Sequence, residues 1–207
     1  IIYDPFLVKA WSWRDPENNR VGLSDPKARV GRGKKTFYLG YKAHVALDWN
    51  SELRVSYRVA SANMNERDFF KQLSREAKKV YPNALWHGAD SEYTSHELRR
   101  YVREELNGIP VIPKTSAENR GENDIRVYEK FRVHEDTTLR KRYKRQKAAE
   151  RLNSRAERLA GRNTLRGLGK ITALAGLVLT MMNPIATASY NNGKPELARS
   201  ISYYASH

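Results

Sequence analysis

The sequence predicts an α/β protein: a mixed sheet of five strands with helices on its faces. Two strictly alternating stretches meet at a turn, and two segments of helical spacing then interleave with short apolar runs. A basic helix closes the pattern. In order this reads strand, hairpin, helix, strand, helix, strand, helix, which a sheet with strands in both directions accommodates.

Each element has a local reason. Residues 1–10 alternate loosely and start β-branched, so they read as a first strand holding Asp4. Residues 14–35 are rich in Asp, Pro, Asn, Gly and basic side chains and read as a turn-forming loop suited to touching a phosphate backbone. From Phe37, apolar positions Leu39, Tyr41, Ala43, Val45 and Leu47 point one way, while Tyr38, Lys42, His44 and Asp48 point the other, giving a long half-buried strand. Asp48-Trp-Asn-Ser51 turns the chain, and Leu53, Val55, Tyr57 and Val59 resume the alternation as a hairpin partner. Asn65 is placed to cap a helix over 66–81, with Phe69, Phe70, Leu73 and Ala77 at helical spacing, and Pro82 ends it. A short buried strand over 84–89 stops at Asp90. Thr94 or Ser95 caps the next helix, Gly108 closes it, and residues 109–112 form the last strand. Residues 116–136 lack periodicity and suggest an irregular insertion with a short strand near 127–133. Helices follow over 138–159 and 165–182, separated by Gly161 and Asn163. An RNase H-like arrangement fits this order. Residues 1–182 are expected to form one domain, with residues 183–207 a loosely ordered polar tail.

Charge narrows the partners. The chain carries a formal net charge of +15. Residues 139–170 hold twelve Lys and Arg against two Glu, so this segment alone supplies ten of those charges. Such a localised block costs stability unless a polyanion neutralises it, which favours nucleic acid over a solvated amphipathic face. The chain contains no cysteine, excluding disulfides, thiol catalysis and thiolate zinc sites and fitting a cytoplasmic location. The most apolar run, residues 171–182, is shorter than the about 20 residues a bilayer span needs and predicts a buried helix, with no membrane partner. The opening Ile-Ile-Tyr-Asp has no initiating Met and suggests a domain cut from a longer protein.

Within this basic field Glu150 is the carboxylate of the helix centre. A glutamate there can stay ionised, hold a divalent cation and sit beside a bound polyanion, as phosphodiester chemistry requires. Mg²⁺ favours a few carboxylates with water and phosphate oxygens. The five His residues show no metal-ligand spacing, so the candidates are acids on separate rigid elements: Asp4, Asp90 and Glu150. Each also has a plain reading: Asp4 as a turn residue before Pro5, Asp90 as a cap, and Glu150 as a surface partner of Lys147 or Arg151. On the helix, Ala149, Leu152, Ala156 and Leu159 form the stripe expected to face the sheet. Tyr143, Gln146, Lys147, Glu150, Ser154 and Glu157 share the neighbouring polar stripe.

These segments resemble the catalytic domain of DDE-type insertion-sequence transposases. Residues 24–32 (Ser-Asp-Pro-Lys-Ala-Arg-Val-Gly-Arg), 39–48 (Leu-Gly-Tyr-Lys-Ala-His-Val-Ala-Leu-Asp) and 60–66 (Ala-Ser-Ala-Asn-Met-Asn-Glu) are similar to that family's region around its second and third strands. Ala89-Asp90-Ser-Glu-Tyr93 resembles the segment bearing its second Asp, and the Tyr-x6-Glu spacing of Tyr143 and Glu150 resembles its signature helix. The resemblance implies an RNase H-like fold with Asp4, Asp90 and Glu150 holding two Mg²⁺ or Mn²⁺ ions. It also implies cutting of element ends in double-stranded DNA and joining to target DNA, at the nucleoid, with a homodimer as the expected assembly. Tyr143, Lys147, Arg151, Arg155 and Arg158 are the expected DNA contacts, although such a Tyr more often packs. Three positions depart from the pattern: Gln146 where Arg is usual, Glu157 where Lys is usual, and Pro5-Phe6 where small residues follow the first Asp. Those departures favour a second reading, a decayed or repurposed remnant that only binds DNA; a third reading is a related RNase H-like nuclease that cuts without joining.

Overall fold

In the computed structural model, residues 1–33, 36–112, 141, 144–161 and 163–197 are described. Strands β1 (Ile2–Lys9), β2 (Arg29–Arg32), β3 (Phe37–Leu47) and β4 (Arg54–Ser61) come first, then helix α1 (Glu66–Val80) and strand β5 (Trp86–Ala89). Helix α2 (His96–Glu104), strand β6 (Ile109–Val111) and helices α3 (Lys147–Ala160) and α4 (Leu168–Asn191) complete the set. The α/β class and the mixed sheet are as expected, consistent with an RNase H-like fold, but the sheet has six strands where five were expected. β3 is antiparallel to β1, β2 and β4, while β1, β5 and β6 run parallel.

The added strand is β2, inside the segment read as loop. Its sequence Arg-Val-Gly-Arg offers one large apolar residue and so carries no alternation to detect. Its backbone is fixed by closeness instead: a Cβ at Gly31 would collide with the Ala62 backbone. Gly40 serves the same end on β3, where a Cβ would run into the Val8 carbonyl oxygen and the Lys9 backbone of β1.

The sheet is covered on both sides. On one face Ile2, Phe6, Val8, Tyr41, Ala43, Val45 and Leu47 pack against Ala149, Leu152 and Ala156 of α3 and Ile171, Ala175, Val178 and Leu179 of α4. On the other face Tyr3, Ala46 and Ala89 pack with Phe70, Leu73 and Ala77 of α1 and with Leu98, Tyr101 and Val102 of α2. β3 is therefore buried on both faces rather than half-buried, because α1 roofs the side that alternation assigned to solvent. The caps behave as the sequence suggests. Asn65 Oδ1 accepts from Arg67 N at 3.1 Å, and Ser95 is the cap before α2.

Helix α4 runs beyond the expected end at Met182, through Pro184 to Asn191. Proline removes one helical donor, but the buried stripe continues in Ala186 and Ser189, so packing outweighs the loss. By length and composition this helix could cross a bilayer. Here its Ile171, Ala175, Val178, Leu179 and Met182 lie in the core against the sheet. The expected insertion over 116–136 and residues 198–207 of the expected tail lie outside the described residues.

Candidate active site

The three carboxyls arrive from three elements. β1 pairs with β5 in parallel, Ile2 against Gly88 and Tyr3 against Ala89, so Asp4 and Asp90 each follow the last paired residues. Asp4 alternates with Tyr3 and therefore points to the face covered by α3. There Asn153 Nδ2 donates to Asp4 Oδ2 at 2.6 Å and to the Pro5 carbonyl at 2.9 Å. One turn further along α3, Glu157 Oε1 accepts from Leu7 N at 3.3 Å. These contacts lock α3 along β1 and set the rotation that brings Glu150 to the same opening.

All three candidates line one cleft of about 620 Å³, together with Glu66, Glu92 and Glu157 and the cations Arg32 and Lys42. Six carboxyls thus face two cations. The electrostatics follow from that imbalance. Burial raises the Asp90 carboxyl above its ordinary range, and the Glu66 charge adds to this, although Glu92 N donates to Asp90 Oδ1 at 2.9 Å. Glu92 is raised as well, by burial first and then by Glu66 and Asp90. Burial also works against the Glu66 carboxylate, but its ion pair with buried Lys42 prevails and holds it below the usual range. The buried Tyr93 hydroxyl is pushed far up by burial and then by Asp4, Glu66, Asp90 and Glu92.

The donor set fits hard divalent cations. It consists of carboxylate oxygens with excess negative charge, and Asn153, which also lines the cleft, has a buried Oδ1 with no hydrogen-bond partner among the described residues. As the side chains lie, no three carboxyl or imidazole groups among the described residues converge closely enough to hold one ion. Asp4 is turned to Asn153, and Asp90 caps the short 3-10 turn Ser91–Tyr93.

The basic residues divide. Lys147 and Arg158 are exposed on α3. Arg151 Nε and Arg155 Nη2 instead donate to Glu52, at 2.8 Å and 2.7 Å, and the Glu52 side chain is fully buried. None of these four cations is among the lining residues of the cleft. Tyr143 lies outside the described residues.

Sequence reasoning missed Lys42, Glu66, Glu92 and Asn153. Lys42, Glu66 and Glu92 did stand in stretches singled out above, and the signal for the first two was an opposite-charge pair, one inside the hairpin and one just after it. Next to Lys42 on the same face of β3, His44 is buried, stacks on Phe69 at 4.1 Å and has neither ring nitrogen hydrogen-bonded among the described residues. Burial lowers its pKa to about 4, with Lys42 assisting and Glu66 opposing. An imidazole neutral in the fold but protonated in the unfolded chain contributes stability at neutral pH that is lost as pH falls from about 6.5 towards about 4. His44→Phe should therefore reduce the loss in unfolding free energy between pH 7 and pH 4 by about 3 kcal/mol, read from urea titrations at both pH values.

Comparison with curated proteins and with solved structures gives no match. A protein-family comparison does match, from residue 10 to residue 183, a span that contains Asp90, Glu150, Lys42 and Glu66 and begins after Asp4. Since that span covers most of the chain, this protein belongs to the transposase DDE domain family.

Proposed function

We propose that this domain cleaves DNA strands at the ends of a mobile element and joins the freed 3′-hydroxyl to target DNA. The observation that carries this reading is the opening of Asp4, Asp90 and Glu150, from β1, the end of β5 and α3, into one acid-rich cleft. Asp4, Asp90 and Glu150 would hold two Mg²⁺ or Mn²⁺ ions, and such a pair activates the attacking oxygen and stabilises the leaving oxygen of an in-line displacement. The chain's own groups do the rest. Lys42, kept in place by Glu66, binds a non-bridging phosphate oxygen at the cleft. Asn153 orients Asp4 through the hydrogen bond that its Nδ2 donates. Lys147, Arg151 and Arg158 contact the flanking phosphates, while Arg155 chiefly anchors α3 to Glu52.

The departures at Gln146, Glu157 and Pro5-Phe6 favour one rival, a remnant that binds DNA without cutting it. Glu157 gives that rival a structural footing, since it adds a further carboxylate to the cleft. A nicking assay on supercoiled DNA separates the two. Cleavage that appears with Mg²⁺ or Mn²⁺ and vanishes with chelator supports the enzyme, and no cleavage under any cation leaves the rival. Strand transfer from a 3′-hydroxyl substrate then distinguishes joining from cutting alone.

A further inference from the structure

Between β1 and β3 the chain forms an ordered arm that the cleft chemistry does not use. Its strands are tied by bridges from Arg14 to Gly22 and from Val21 to Arg29. Leu23 N donates to the Trp13 carbonyl at 2.9 Å, and Ser24 N to Ser12 Oγ at 3.0 Å. On this fixed scaffold the Trp13 side chain stands 85% exposed and Trp11 53% exposed. Arg166 from the α3–α4 connection donates to the Trp11 carbonyl at 3.0 Å. Lys9, Arg14, Arg20 and Arg32 are exposed along the same arm, and Arg32 also lines the cleft.

A large indole held in water by a hydrogen-bonded scaffold forgoes the burial that Trp normally finds. Its flat face suits another flat, apolar face, and the cations around it select a partner that is also a polyanion. Nucleic-acid bases combine both properties. Inside a duplex the base faces are already stacked, so an indole can reach them only where a strand is unpaired.

We infer that Trp13, with the exposed arginines of its arm, is a stacking platform for an unpaired base of DNA whose backbone continues past Arg32 to the cleft. This rests on the DNA-processing reading above and adds to it a preference for strands with an unpaired segment.

The test uses the whole chain in the presence of chelator, so that binding is measured without cleavage. Labelled blunt duplex and the same duplex carrying a short single-stranded extension are titrated with wild type, Trp13→Ala and Trp13→Phe. The expected result is that wild type prefers the extended duplex and that Trp13→Ala loses about tenfold affinity for it. Blunt-duplex affinity and the melting temperature should stay unchanged, and Trp13→Phe should keep most of the preference. Equal loss on both DNAs, or no loss on either, overturns the proposal. So does self-association that Trp13→Ala abolishes while DNA binding is unaltered, since Trp13 would then face a second copy of the chain. A chain that binds as expected here but never nicks DNA with Mg²⁺ leaves this inference standing and removes only the catalytic reading.

Discussion

Asp90→Ala should abolish metal-dependent nicking, by on the order of a thousandfold or more, while leaving DNA affinity close to that of wild type. Asp90 ends a buried strand, sits where burial and Glu66 already oppose its ionised form, and opens into the cleft shared with Asp4 and Glu150. In the proposed site a bound cation would offset that cost. The same reasoning gives the variant an opposite effect on stability. Because its folded-state pKa is raised, the Asp90 carboxylate weakens the fold above that pKa, and the penalty disappears as pH falls below the ordinary aspartate value. Asp90→Asn removes the charge but keeps the shape and the donor from Glu92, so in metal-free solution at neutral pH it should melt higher than wild type. A variant that loses both activity and thermal stability would point instead to a purely structural cap.

Glu52→Ala is the second large effect. Glu52 lies in the β3–β4 turn with φ 58°, a left-handed conformation that disfavours any side chain, and yet its carboxylate is buried between Arg151 and Arg155. The clamp ties the turn to the helix that carries Glu150, so the strain is offset by the pairing. Removing the buried carboxylate leaves the mostly buried Arg155 without this partner, while half-exposed Arg151 turns to water, and we expect a loss of about 3 kcal/mol in urea unfolding. Cleavage should fall about tenfold to a hundredfold through the altered seating of α3. Glu52→Gly should lose about 1 kcal/mol less than Glu52→Ala, because glycine relieves the backbone strain while losing the same clamp. Equal stability of Glu52→Ala and wild type would show that the two arginines are solvated alternatives rather than anchors.

Much of this arrangement was legible in the sequence, for identifiable reasons. Strict alternation marks β3, and the Ala149, Leu152 and Ala156 stripe marks the buried side of α3, so the elements that carry the acids could be drawn. Asp90 stood out as a candidate because a buried strand stops there, and Glu150 because it is the acid at the centre of a basic helix. What escaped was pairwise and distant. Alternation cannot tell a solvent face from one roofed by a helix, so Lys42 and His44 were placed outside although α1 covers them. No local signal links Glu52 to Arg151 and Arg155 across about a hundred residues, so this clamp could not be read from the sequence. β2 is held by backbone proximity rather than by side-chain pattern. Helix α4 continues past Pro184 because packing overrides propensity.

The central claim is that Asp4, Asp90 and Glu150 act as one cation site, and Mn²⁺ binding in the absence of DNA tests it most directly. Titrating wild type, Asp4→Ala, Asp90→Ala and Glu150→Ala by calorimetry or by the Mn²⁺ paramagnetic signal should show binding to wild type that each single substitution weakens severely. Wild-type affinity retained by any one of the three variants would contradict the claim for that residue, and retention by all three would leave an acid-rich cleft with no shared metal.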